Sequence, residues 1–251
     1  MPYGLYLSAE GAQAQQQRLE VIANNMANVE TPGFKRDVPT FQARFAEAIQ
    51  HGADYPGSFS ENNVGGGVKM METMTDFSST SLRDTGMPTD FAINGGGFFQ
   101  VAAPGGETFL TRAGNFTIDG QGRLLTQSGN FAVLSDGGSP IELDGTQPFE
   151  VHSGGRIVQG DNEVQIGLVQ PPSLGDLVKV GVNLFRSIGG ATSVPTELRD
   201  VRQGYLEQSG VNPTREMMAM IETTRAFEAN TKLIQHQDSM IGGLISRVLS
   251  V

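Results

Sequence analysis

The chain has 251 residues, no cysteine, 33 glycines and a net charge of −10. Without cysteine there are no disulfides, thiolate zinc sites, iron–sulfur clusters or cysteine nucleophiles, and His51, His152 and His236 stand far apart, in no metal-ligand spacing. An acidic excess argues against a grip on nucleic acid or on anionic lipid, both of which need clustered Lys and Arg.

The charge is uneven. Residues 1–36 and 201–251 are each neutral, while residues 37–200 hold nine basic and nineteen acidic side chains. Glycine is uneven too: 13–32 and 211–241 have none, and the middle has 26 of the 33. Helical ends around a turn-rich β centre follow from that distribution.

A first helix is expected from about Leu5 to Asn28. Leu19, Ile22, Ala23 and Met26 recur at i, i+3, i+4, i+7 and form a modest apolar stripe. Asn28 can take a left-handed cap, and Thr31-Pro32-Gly33 cannot continue a helix. Residues 37–64 show no period and, with Pro39, Pro56 and Gly57, read as an extended connector.

The centre reads as a β-meander. Strands are expected at 91–94 and 98–101, on either side of Gly95-Gly96-Gly97, then at 108–111, 115–118, 123–126 and 130–134. Asp119-Gly120-Gln121-Gly122 and Gln127-Ser128-Gly129 supply hairpin turns. Further short strands are expected near 148–151, 156–158, 163–170 and 182–186.

In the last segment Pro213 suits a first helical turn, Asn212 an N-cap, and Glu216 the positive end of the helix dipole. Met220, Phe227, Ile234, Ile241 and Val248 then repeat every seven residues, with Ala219, Ala226, Leu233 and Met240 beside them. A strict seven-residue apolar repeat is a coiled-coil signature. At 1.5 Å per residue the helix would run about 57 Å, weakened near its end by Gly242-Gly243.

The fold class is therefore α+β: an all-β central domain flanked by terminal helices that pair as a coiled coil. The expected parts are an N-terminal helix over 1–30, a connector over 31–64, a β domain over 65–200, and a C-terminal connector and helix over 201–251. Leu19, Ile22, Ala23 and Met26 are expected to pack against a seam that runs through Met220, Phe227, Ile234 and Ile241.

No catalytic, cofactor or metal site emerges. Gly95-Gly96-Gly97 precedes a strand, whereas a phosphate loop opens a helix. Asp119-Gly120-Gln121-Gly122 lacks the alternating ligands of a calcium loop. Arg186-Ser187-Ile188-Gly189 lacks the first glycine of a nucleophile elbow. A carbohydrate-binding module would need an aromatic platform, but there is no tryptophan, and Tyr3, Tyr6, Tyr55 and Tyr205 do not cluster. No apolar run reaches the ~18 residues of a membrane span. The N-terminus has neither a basic leader nor an apolar h-region, so no cleaved secretory signal is expected.

Residues 19–36, 92–101, 111–116, 203–209 and 220–230 resemble, in order, motifs of the flagellar rod and hook protein family. Residues 19–36 (LEVIANNMANVETPGFKR) resemble its N-terminal signature through Asn24, Asn25, Asn28, Thr31, Pro32, Gly33 and Phe34. Residues 92–101 resemble its glycine-bend strand pair through Gly95, Gly97 and Phe98, and Thr111-Arg112-Ala113-Gly114-Asn115-Phe116 its next hairpin. Gly204 and Glu207, and then Arg225 and Glu228, fall in the C-terminal signatures. Met26 stands where leucine is usual, and Gly210 where asparagine is.

The resemblance implies a non-enzymatic axial subunit of the flagellar basal-body rod, the periplasm-spanning drive shaft for motility. It implies terminal helices in an inner coiled-coil tube, an outward β domain and type III export without a cleaved signal. The implied partners are copies of itself, other rod proteins and the export apparatus, with no cofactor, nucleic acid or membrane insertion. The compact middle and the 227–235 region favour the proximal rod; the alternatives are the distal rod and, in another class, a secreted β-rich carbohydrate-binding module.

Overall fold

Glycine-free ends and a glycine-rich centre separate into helix and sheet as their composition demands. A computed structural model describes residues 3–44, 51–52, 55 and 66–249, without the side chains of Tyr3 and Leu249. The Pro56-Gly57 part of the expected connector lies outside these residues. The chain divides into two units: Met1–Ala27, Asp37–Met74 and Asn212–Val251 form one, and Asn28–Arg36 and Thr75–Val211 the other.

In the first unit, helix α1 (Tyr3–Ala27) packs along helix α2 (Pro213–Leu249). Asn212 caps α2 as expected: its Oδ1 accepts from the Arg215 N–H at 3.1 Å and its carbonyl from the Glu216 N–H at 3.0 Å. The helix runs unbroken through Gly242-Gly243. Strand β1 (Asp37–Ala43), inside the stretch read as a connector, pairs with β2 (Val68–Thr75), at the start of the stretch read as the β domain. No period marks β1 because its burial does not alternate: its first four residues are half-buried and its last three exposed, so neither face has to be apolar.

The second unit is all β. Its strands are β3 (Leu82–Asp84), β4 (Phe91–Ile93), β5 (Phe98–Ala102), β6 (Thr108–Thr111), β7 (Phe116–Ile118), β8 (Leu124–Thr126), β9 (Ala132–Val133) and β10 (Glu150–His152). They continue as β11 (Arg156–Gln159), β12 (Asn162–Gln165), β13 (Leu168–Gln170), β14 (Leu177–Lys179), β15 (Leu184–Ser187), β16 (Thr192–Ser193), β17 (Val201–Gln203) and β18 (Tyr205–Glu207). The main sheet has the order β14-β15-β6-β5-β9-β8-β7, with β13 on β5 and β16 on β13.

This is not a simple meander. The β7–β8 hairpin closes over Asp119–Gly122, where the Gly122 N–H donates to the Asp119 carbonyl at 3.0 Å. Yet β4 does not pair with β5. Gly95 and Gly97, at φ +137° and +105°, turn the chain away, and β4 joins β17 instead, with Phe91 opposite Gln203 and Ile93 opposite Val201. Nor is Asn28 left-handed. Its Oδ1 accepts from Thr31 Oγ1 at 3.2 Å, and the first positive φ after α1 falls at Gly33.

Strand alternation splits neighbouring aromatics between two clusters. Phe99 joins Phe91, Phe116, Leu124, Ile141, Ile157 and Ile166, while Phe98 joins Leu110, Val169 and Phe185. Phe99 and Phe91 meet Phe116 edge-on, with centroids 5.2 and 5.6 Å apart. Both faces at this point of the sheet are thus covered. Phe99→Ala is expected to lower stability by about 3–5 kcal/mol, read as a shift in the urea midpoint followed by circular dichroism. A loss under about 1 kcal/mol would show that this core collapses around the cavity.

Candidate functional site: a buried charge clamp and a polar helix seam

Three stretches of the second unit, far apart in sequence, converge on the Glu207 carboxylate at the end of β18. Its Oε1 accepts from Lys35 Nζ at 2.7 Å and from Thr80 Oγ1 at 3.1 Å, and its Oε2 from Arg112 Nη1 at 3.4 Å. Lys35, Arg112 and Glu207 are all buried. Backbone carbonyls take much of the remaining donor capacity: Lys35 Nζ also donates to Ser78 O, and Arg112 to Gly95 O and Ile93 O. The Arg112 guanidinium lies 5.1 Å from the Phe98 ring centroid, and Lys179 Nζ 4.1 Å from that of Phe34.

Backbone bonds knit the same segments. The Gly33 N–H donates to the Glu207 carbonyl, the Gly210 N–H to the Phe34 carbonyl, and Ser209 Oγ to the Asn28 carbonyl. Gly33 has φ +66°, and a Cβ there would lie 2.4 Å from the backbone of Arg112. No other residue fits that approach.

Electrostatically the clamp is two cations on one carboxylate. Burial pushes the Lys35 amine below its ordinary value, against the pull of the Glu207 charge; burial does the same to Arg112. Enclosed and internally hydrogen-bonded, the cluster serves to hold chain segments together. Among the described residues, no group of three or more His, Asp or Glu could hold a metal ion.

In the first unit the expected pairing residues separate. Ile22 is buried, Leu19 and Met26 are half-buried, and Ala23 is exposed. Met220, Phe227, Ile234 and Ile241 are half-buried. Two close approaches set the register of the antiparallel helices: a Cβ on Gly4 would lie 2.8 Å from Gln237 Nε2, and one on Gly11 3.2 Å from Asn230 Oδ1. That register puts Ile22 abreast of Ala219, next to Met220. Phe227 and Ile234 fall abreast of Ala14 and Leu7, so they do not meet Leu19, Ile22, Ala23 or Met26.

The companions of the apolar line also differ from expectation. Leu233 and Met240 are exposed. The line that completes the seam is polar: Glu216, Thr223, Asn230 and Gln237, again seven residues apart, with Glu216 and Thr223 fully buried. On α1 the matching line is Gly4, Gly11, Arg18 and Asn25. Asn25 is also fully buried. Its amide donates to the Asp37 carbonyl at 2.8 Å and accepts from the Asp37 N–H at 2.9 Å, pinning the start of β1. Asn24, Arg225 and Glu228 lie on the exposed side of their helices. Gly204, at φ +77°, forms the bend between β17 and β18.

Three family models match along the chain: "Flagella basal body rod protein" over residues 5–35, "Flagellar hook protein FlgE/F/G D1 domain" over 92–183, and "Flagellar basal body rod FlgEFG protein C-terminal" over 202–247. The chain is 34% identical to the flagellar basal-body rod protein FlgF of Caulobacter vibrioides, over 99% of this chain and 98% of that one. The chain belongs to the flagellar basal-body rod protein family. It is a structural, non-enzymatic protein. FlgG proteins of the rod family match to the same degree: 35% identity for that of Caulobacter vibrioides (94% of this chain, 96% of that one) and 32% for that of Bacillus subtilis (96% and 97%).

The clamp explains several residues of the rod signature, but sequence reading singled out neither Lys35 nor Arg112 as a partner of Glu207. The polar seam carried a readable signal, a seven-residue repeat of Glu216, Thr223, Asn230 and Gln237, that a search for apolar repeats passes over.

Glu207→Gln leaves two buried cations without their counter-charge, and is expected to cost about 3–5 kcal/mol. Lys35→Met leaves a matched Arg112–Glu207 pair and is expected to cost less. Urea unfolding of both variants checks the order, and equal losses would contradict it. The pH dependence follows from Lys35. Its folded value is lowered, so above that value the unfolded chain binds more protons, and stability rises with pH up to the ordinary lysine value. Lys35→Met should lose that component of the slope, read from unfolding curves across the alkaline range.

Proposed function

We propose that this rod protein polymerises through its terminal helices, alongside copies of itself and other rod proteins, after export by the flagellar type III apparatus. The observation that carries this reading is the overhang of α2. In the helix register Tyr3, the first residue of α1, falls abreast of Asp238, so α2 runs on past the start of α1. Met240, Leu244, Ile245 and Val248, together with half-buried Ile241, form a continuous apolar stripe there, and Val248 is 74% exposed. Each large apolar side chain buried against a neighbour contributes about 1.5–3 kcal/mol. Contacts between non-equivalent surfaces that do not close build a helical filament, the geometry of a shaft. Family membership supports the same reading.

The position proposed is the proximal rod, on the compact middle and the 227–235 stretch. Electron microscopy of basal bodies from a strain lacking the gene tests role and place together. An absent rod or a short stub supports a proximal subunit, and a stub close to full length the distal rod; intact, functional basal bodies would refute the rod role. Leu244→Asp with Val248→Asp, returned to that strain, is expected to abolish the rod while the β unit unfolds at its usual urea concentration. Normal swimming of this variant would refute the overhang as an assembly contact.

A further inference from the structure

We infer that the polar line of α2, formed by Thr223, Asn230 and Gln237, restricts pairing with α1 to a single register. The apolar line cannot do this. Met220, Phe227, Ile234 and Ile241 are all large and apolar, so a slip of seven residues replaces each with an equivalent. A slip of seven is also the smallest that brings each line of the seam back onto its own positions.

The polar line breaks this degeneracy by size. Gln237 and Asn230, both large, stand over Gly4 and Gly11. The same register carries Thr223, which is small, abreast of Arg18, which is large. Slipping one way sets Asn230 on Arg18, large on large. Slipping the other way sets Thr223 on Gly11, small on small, leaves a void and loses one of the pairs. Only the observed register gives each of Thr223, Asn230 and Gln237 an opposite of contrasting size; either slip leaves at least one of the three matched like with like or without an opposite.

Polarity reinforces size. An apolar surface accepts any apolar neighbour, whereas a polar group taken from water must find a partner or lose about 1–3 kcal/mol. Gln15 and Gln237, both half-buried, each hold a buried amide oxygen with no hydrogen-bond donor among the described residues. The seam thus gives up some pairing strength for uniqueness, as single polar residues do in coiled coils. Its partner is α1 of the same chain. Leu233, Met240, Leu244 and Val248, exposed outside this pairing, stay available for other contacts. The inference concerns the soluble chain and does not depend on assembly into a rod.

Because the chain has no cysteine, two introduced cysteines are its only thiols, and disulfide formation reports which positions meet. Ser8→Cys is combined in turn with Phe227→Cys, Ile234→Cys or Ile241→Cys in the full-length monomer. The observed register sets position 8 within one residue of lying abreast of 234; the two slips set it equally close to 227 or 241. Intramolecular linkage of 8 to 234 should exceed the other two by about tenfold. With Thr223→Leu, Asn230→Leu and Gln237→Leu added, the three linkages should come within about threefold of one another. Comparable linkage at all three positions in the unaltered seam would overturn the inference. So would linkage confined to 234 in the triple variant, which would leave chain connectivity alone to set the register. A gentler pair guards against misfolding of the triple variant. Gly11→Leu should reduce the 8–234 linkage and Asn230→Ala in the same chain should restore it; no effect of Gly11→Leu would equally overturn the size argument.

Discussion

The β unit depends on one buried carboxylate. Glu207 lies 172 residues from Lys35 and 95 from Arg112, so no local structure brings these groups together. Two cations on one anion would be a costly arrangement to bury on charge alone. What makes it tenable is the set of backbone carbonyls at Ser78, Ile93 and Gly95, which take donor hydrogens that the carboxylate cannot. The two C-terminal strands, the glycine bend and the segment after α1 are therefore mutually dependent. The bend must turn at Gly95 to present its carbonyl, and Gly33 must be glycine to let the segment approach the Arg112 backbone.

The two units are built on opposite principles. In the β unit apolar side chains point inward, with Phe91, Phe99, Phe185 and Ile157 essentially sealed from solvent. In the helical unit the α1–α2 seam holds Ser8, Asn25, Glu216 and Thr223 among its buried residues, while Leu233, Met240, Leu244 and Val248 remain exposed. A core of the first kind is satisfied within one chain. A helix pair of the second kind leaves its apolar surface for other chains, and large exposed apolar surfaces mark interaction sites. That contrast fits the assembly proposed above: one unit is closed around its own core, and the other keeps large apolar side chains exposed.

Much of this was legible beforehand, and the exceptions have physical causes. The helices followed from glycine-free ends and a seven-residue repeat, and the Asn212 cap from its position before Pro213. Most central strands followed from β-branched and aromatic runs between turns. The β1–β2 ribbon did not, since a strand whose burial does not alternate between its faces need not alternate in sequence. The departure of β4 to β17 did not either, because pairing partners 110 residues apart leave no local trace. Ala23 was read as part of the stripe on spacing alone, although its small side chain carries little burial energy to fix which way it faces. The polar seam was missed because periodicity is ordinarily sought among apolar residues, and the clamp because spacing does not reveal which buried charges share a partner.

Charge completes the argument for bundling. Residues 1–36 and 201–251 each carry no net charge, while the whole −10 lies between them. Helices that shared a sign of charge would repel one another, and at close range such repulsion is little screened. Neutral ends remove that obstacle where the apolar stripes must meet. Seven of the ten excess negative charges lie in 75–200, within the β unit, whose core is closed. Charge thus opposes association least along the helices, where the large apolar side chains are also exposed, in keeping with the assembly proposed above.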